Sequence, residues 1–227
     1  KLKKTNVKLA LSINYKARLS KNLLKLFEFG VFNAHLGDLP KFRGNATPNW
    51  AIIKQKKNIP LCFHKMSSQI DEGPIAKKIF YKITNKTYVG DIYNWLSKIT
   101  PKEFYKLYMS IINKKVNLKK QKGKPLIVFS RKEHDSRINW NKNSNEIYNL
   151  VRASSTPFKG AFTYFNKTKI RILVCKIYKP DFEFLAIPGQ VCLIKNSNPI
   201  IATKDKMIEI IKLSEDYNED LKLKKLI

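Results

Sequence analysis

The chain has 227 residues, enough for one large domain or two small ones with a buried core, and 43% hydrophobic with 11% aromatic residues exclude a disordered polypeptide. No apolar run approaches the roughly 20 residues needed to span a bilayer, and the basic start Lys1-Leu2-Lys3-Lys4-Thr5 lacks the apolar segment of a signal peptide. A net charge of +28 suits a polyanionic partner, yet only six of the 45 basic residues are arginine, so a solvated, lysine-biased surface competes with a dedicated RNA face; attraction to anionic substrates follows either way.

In chain order, Val7–Ile13 reads as a short buried strand, and Ser20–Phe29 as a helix with Leu23, Leu24, Leu26 and Phe27 inward and Gly30 at its end. Val31–Asn33 is a second strand, so the opening is a strand–helix–strand unit of a parallel sheet. Thr47 is placed to cap a helix with Pro48 at its first helical position, and Trp50, Ile53 and Ala51 supply its buried stripe. Leu61–Met66 and Ile75–Ile83 are strands flanking the turn Asp71-Glu72-Gly73-Pro74. From Val89 to Ile112 apolar residues recur at helical spacing, with Pro101 dividing the stretch into two helices. A polar, lysine-rich run follows from Asn113 to Arg137, broken by Leu126–Phe129. Beyond it come a helix over Ser144–Arg152 and strands at Phe162–Phe165, Ile170–Tyr178, Gln190–Lys195, Ile200–Lys204 and Met207–Leu213. The expected organisation is therefore an α/β core over 1–125, a connection over 126–137, a small, mostly antiparallel β-rich domain over 138–213 and a tail over 214–227. Cys62, Cys175 and Cys192 are odd in number and widely spaced, which suits reduced thiols in the cytoplasm better than a disulfide framework or a zinc site.

The densest chemistry lies in Phe32-Asn33-Ala34-His35-Leu36-Gly37-Asp38-Leu39-Pro40-Lys41-Phe42-Arg43-Gly44. Asn33 and His35 are two apart, so on an extended segment both leave the same face at the carboxyl end of a strand. An amide there can donate to a developing oxyanion while an imidazole takes a proton. Taken alone, Asn33 could equally cap the strand end. Asp38 reads equally as a solvated turn carboxylate or a holder of a substrate ammonium, and Arg43 as a contact to an anionic ligand or a brace for its loop. His64 is read as packed or supporting, and neither His64 nor His134 has metal-ligand spacing.

Three further elements join this motif: Cys62-Phe63-His64-Lys65-Met66 running into Ser67-Ser68-Gln69-Ile70-Asp71-Glu72-Gly73-Pro74-Ile75; Val151-Arg152-Ala153; and Pro157-Phe158-Lys159-Gly160-Ala161-Phe162. With them the chain resembles the 10-formyltetrahydrofolate-dependent formyltransferases, in the branch of methionyl-tRNA formyltransferase and the nucleotide-sugar N-formyltransferases. The pattern Asn-x-His, Leu-Pro-x-(Tyr/Phe)-Arg-Gly, then Asp-x-Gly is met in order, and the resemblance runs from Val7 to Leu213. It implies a Rossmann-like core followed by a small second domain, and a catalytic trio of Asn33, His35 and Asp71. Asp71 would orient His35 or relay a proton through water, and a carboxylate so close would raise the imidazole pKa. Ser12, Ile13 and Asn14 fall where the family's loop meets the folate, largely through backbone groups, with Gln69 and Asp71 on the opposite side. No metal is implied.

The acceptor implied first is the amine of a nucleotide-linked 4-amino-4,6-dideoxyhexose, a precursor of surface polysaccharide such as O-antigen; the alternative is methionyl-tRNA. High charge favours tRNA, whereas scarce arginine and a short second domain favour sugar. The family pattern also places further strands ahead of Val7. Without them the first strand presents an open edge that invites aggregation or pairing with a second copy as a homodimer.

Overall fold

The computed structural model describes residues 6–13, 15 and 17–214, which fall into two compact units. The first comprises the chain to Ala51 with Lys56–Lys86 and Asp91–Ser130; the second comprises Ile52–Gln55, Thr87–Gly90 and the chain from Arg131. Among the described residues no helix is long and apolar enough to cross a membrane.

In the first unit β1 (Leu9–Ser12), α1 (Lys21–Leu24) and β2 (Gly30–Leu36) form the expected parallel unit, with Leu9 opposite Gly30 and Ser12 opposite Asn33. Two antiparallel strands, β4 (Asn58–Lys65) and β5 (Ile75–Lys82), complete a mixed sheet in the order β1-β2-β4-β5. Two expectations fail at its edge. β1 is only partly buried: it bonds only to β2 within the described sheet, and Leu11 is 42% exposed. The helix expected over 20–29 closes after a single turn, started by Ser20, whose Oγ accepts from Leu23 N at 3.2 Å. None of its residues is buried, and a short helix without an apolar contact face is marginal in water.

β3 (Arg43–Gly44) leads into α2 (Thr47–Ile53). The helix starts one residue earlier than the Thr47 cap would have it, because Trp50 N bonds to the Ala46 carbonyl at 3.0 Å. The Thr47 hydroxyl instead donates to the carbonyl of Leu36, tying the helix start to the end of β2. Thr47, Pro48, Asn49, Ala51 and Ile52 are buried, whereas Ile53 and Trp50 are half-buried and Trp50 donates its indole N–H to Phe129 O at 2.9 Å.

α3 (Val89–Ile112) is one continuous helix through Pro101, not two. Buried residues lie on both sides of the proline (Val89 and Ile92 before it; Phe104, Leu107 and Ile111 after), so packing outweighs the one forfeited backbone bond. Thr100 adds a side-chain bond to Leu96 O at 2.7 Å. Phe104 meets Phe63 edge-on at 4.9 Å, and Trp95 meets Tyr81 at 5.2 Å, which lays the helix against β4 and β5. After α3 the chain returns along the site: Lys119 bridges Ile75 through bonds of 2.8 and 2.9 Å, and β6 (Ile127–Val128) pairs in parallel with β3.

The second unit contains a 3-10 turn (Glu133–Ser136), α4 (Ser144–Ser154), and an antiparallel sheet in the order β7-β8-β11-β10-β9. Its strands are β7 (Ala161–Phe165), β8 (Thr168–Tyr178), β9 (Val191–Lys195), β10 (Asn198–Ala202) and β11 (Met207–Leu213), close to the expected spans. Ile138, Ile147, Val151, Ile172, Ile208 and Ile210 are at the centre of its core. Arg152 is buried there and donates to Asn149 Oδ1 and, at 2.6 Å, to Thr87 O, which gives the Val-Arg-Ala element a structural role. The expected tail from Ser214 lies almost wholly outside the described residues.

Candidate active site

β2 and β4 pair so that Asn33 stands opposite His64 and His35 opposite Cys62. Directly paired residues on antiparallel strands share a face, so Asn33, His35 and His64 project together. Asp71 reaches the same place from the loop between β4 and β5, its own backbone left-handed at φ +49°. Its Oδ2 lies 3.4 Å from His35 Nδ1 and accepts from Gly44 N at 2.9 Å, while its Oδ1 lies 3.4 Å from His64 Nε2. All four residues line one cleft of about 540 Å³, within the usual range for small-molecule sites.

The ring roles of His35 follow from its neighbours. Nε2 is 2.7 Å from the Phe42 carbonyl, which can only accept, so Nε2 carries the hydrogen. Nδ1 is then the ring atom free to take a proton, with the Asp71 carboxylate beside it to stabilise the resulting imidazolium. His64 Nδ1 faces Lys65 O at 3.3 Å, which leaves its Nε2 between Asn33 Nδ2 at 3.3 Å and Asp71. A neutral His64 accepts from Asn33 and a protonated one donates to Asp71. In the first state Asn33 keeps its second amide N–H for a ligand oxygen.

Electrostatics correct one expectation. The Asp71 charge does pull the His35 pKa upward, but desolvation is the larger effect, and the net shift is below the ordinary imidazole value. Burial likewise pushes the Asp71 carboxyl up, but the His64 hydrogen bond, the His35 charge and the Gly44 N–H together hold it below the ordinary carboxylate value. Near neutral pH the pair is therefore a neutral imidazole beside an ionised carboxylate, ready to accept a proton. Any reaction that uses His35 as base should show an acid limb centred below about pH 6.5. The pH profile of kcat/KM checks this; a limb above pH 7 contradicts it.

Of the other residues expected in the site, Ser12 and Gln69 line the cleft. Ile13 is 57% exposed and outside its lining, and Asn14 lies outside the described residues. Asp38 and Arg43 are not in the cleft either. Asp38 is turned toward Lys78, at 2.7 Å, and the Arg43 guanidinium is held by the Gln121 side chain at 2.8 Å. For Arg43 this favours the brace over the ligand contact. Residues that the sequence left unmarked complete the walls: Arg18 after β1, and Tyr93 and Leu96 on α3. Only the helical phase of α3 could have pointed to the last two. Among the described residues no group of His, Cys, Asp and Glu is arranged to hold a metal ion.

The chain is similar to known proteins along most of its length. The formyl transferase model matches residues 1–108, and the model of the formyl transferase C-terminal domain matches residues 131–227. The bifunctional polymyxin resistance protein ArnA of Wigglesworthia glossinidia brevipalpis is 34% identical over 96% of the chain, which spans 32% of that protein. The methionyl-tRNA formyltransferase of Clostridium tetani is 29% identical over 93% of the chain and 68% of its own length. Among solved structures, the N-formyltransferase from Helicobacter canadensis in complex with folinic acid and dTDP-3-aminofucose superposes with a TM-score of 0.69 at 20% identity, covering 89% of this chain and 72% of that one. HypX from Aquifex aeolicus in complex with tetrahydrofolic acid gives a TM-score of 0.72 at 16% identity, covering 91% and 35% respectively. With both family models matched in order and the Asn33, His35 and Asp71 side chains gathered in one cleft, the chain belongs to the formyl transferase family.

Proposed function

We propose that this chain carries the formyl-transfer centre of a cytoplasmic sugar N-formyltransferase. The centre would move a formyl group from 10-formyltetrahydrofolate to the amine of a nucleotide-linked 4-amino-4,6-dideoxy sugar. Residues 1–125 would supply the catalytic core and residues 138–213 the second domain. The convergence of Asn33, His35 and Asp71 on one cleft carries this reading. The folate supplies an activated formyl carbon. Asn33 donates an N–H to the formyl oxygen as negative charge develops on it. His35 would receive the proton of the attacking amine at Nδ1 with Asp71 steadying the imidazolium, and that proton would pass to the folate N10 as its bond to the formyl carbon breaks, leaving tetrahydrofolate and the N-formyl product. Ser12 and Gln69, both in the lining of the cleft, would contact the folate. An amino-sugar acceptor is supported by one structural neighbour crystallised with folinic acid and dTDP-3-aminofucose, whose amine sits at position 3 and not 4.

A second reading, transfer to methionyl-tRNA, is favoured by the net charge of +28 and by curated relatives of that name. Mass spectrometry separates the two. The full-length protein is incubated with 10-formyltetrahydrofolate and, separately, with dTDP-, GDP- and UDP-linked 4-amino sugars and with methionyl-tRNA. A gain of one formyl mass on an amino sugar is the expected result, and formylation of methionyl-tRNA alone replaces the sugar reading with the second.

A further inference from the structure

We propose that Gln121 is a positioning residue for the catalytic carboxylate: its side-chain amide ties the Asp71 loop to the Arg43-Gly44 segment and thereby sets where the Asp71 carboxylate stands against His35. The proposal rests on the formyl-transfer reading above. Gln121 belongs to the lysine-rich run Lys119-Lys120-Gln121-Lys122-Gly123-Lys124, which by composition is a solvated connection. Its neighbours in that run are exposed, whereas Gln121 is half-buried and turned inward. The amide uses its full bonding capacity. Nε2 donates to Asp71 O at 2.7 Å and to Gly73 O at 2.8 Å; Oε1 accepts from Arg43 Nη2 at 2.8 Å and Nε at 3.3 Å.

These bonds close a ring. Arg43 precedes Gly44, whose N–H donates to the Asp71 carboxylate at 2.9 Å, while Gln121 holds both the Arg43 guanidinium and the Asp71 carbonyl. Asp71 adopts left-handed backbone (φ +49°), a conformation that a non-glycine residue keeps only when its surroundings over-determine it. The bond from Gln121 to its carbonyl is one such constraint. The Lys119–Ile75 bridge pins the same strap to the start of β5, so the amide is delivered by anchored backbone. Removing the amide frees the Asp71 carbonyl, the Gly73 carbonyl and the Arg43 guanidinium together, and lets the carboxylate drift from the imidazole.

The groups facing the His35 ring are Asp71 from the loop, His64 from β4 and the Phe42 carbonyl; of the two titratable side chains, only Asp71 is held by Gln121. Histidine NMR titration and kinetics on the full chain therefore test the proposal together. The chain has three histidines, and His134, exposed in the second unit, is an internal reference. In Gln121→Ala the His35 titration should move to lower pH as the Asp71 charge recedes, with His134 unmoved. In the same variant kcat should fall on the order of tenfold, with the donor KM within about twofold. Gln121→Glu keeps acceptors for Arg43 but has no N–H for Asp71 and Gly73, and should lose kcat likewise. A folded Gln121→Ala with wild-type His35 titration and kcat overturns the proposal, as does full activity in Gln121→Glu. If the wild-type chain transfers no formyl group but the His35 titration still moves, the positioning role is supported and the functional reading is overturned.

Discussion

Replacing His35 with alanine should lower formyl transfer by about a thousandfold while leaving folate affinity within a few-fold of wild type. The magnitude is that of a lost general base, typically ~10²–10⁴ in rate. The selectivity for rate over binding follows from the ring's engagements: Nε2 is committed to the Phe42 carbonyl, and Nδ1 faces Asp71 and the cleft. Single-turnover rates with the preferred acceptor, beside donor binding followed by fluorescence, separate the two effects. Added imidazole should restore part of the rate, because the missing group is a proton acceptor of that chemistry. Asp71→Asn keeps an oxygen for the Gly44 N–H but removes the charge, so its loss should be smaller and its acid limb displaced further down. Turnover near wild type in His35→Ala would remove the imidazole from the mechanism.

Gly73→Ala should be the most damaging substitution outside the catalytic side chains. A Cβ on Gly73 would lie 1.6 Å from the Lys65 carbonyl oxygen and 2.8 Å from the carbonyl carbon, so backbone must move. The ends of the Asp71 loop cross here: Lys65 N bonds to Pro74 O at 2.9 Å, and Gly73 O accepts from Gln121. Overpacking of this kind costs about 1–3 kcal/mol of stability. The larger effect falls on catalysis, since a displacement of order 1 Å at Asp71 costs about a hundredfold in rate. Gly123→Ala is the control. Its φ of +93° is positive, unlike that of Gly73, but nothing lies within 4 Å of its Cβ, so it should lose about 1–2 kcal/mol to backbone strain and keep its activity. Thermal unfolding and kcat on both variants check the pair; equal activity would mean that the Asp71 loop tolerates displacement.

The parts legible in the sequence were those written in local periodicity. The alternation of β7 to β11 and the apolar face of α4 fold where the pattern placed them, because burial on one face enforces period and register together. Asn33 and His35 were legible for the same reason, two residues apart on one strand. Asp71 needed a family pattern, because its approach depends on a nine-residue loop whose path no periodicity encodes. The failures share a cause. Leu23, Leu24, Leu26 and Phe27 read as a buried helical stripe, but at most half-burial is available to them, and an unrewarded helix stops after one turn. Pro101 read as a break, but packing on both sides of it holds the helix together. Arg43 and Gln121 are 78 residues apart, and nothing in either neighbourhood announces that they meet.

The pairing of β2 with β4 has a consequence for how the site comes into being. Sheet alternation has a period of two, so moving one strand past the other by a single residue would set Phe63 or Lys65 opposite Asn33 in place of His64 and turn the imidazole to the opposite face. The amide, both imidazoles and the folding register are thus one variable. A half-assembled site is not an available state of this strand pair. Recovery of the paired His35 and His64 NMR signals during refolding should therefore report native strand alignment as faithfully as it reports catalytic competence.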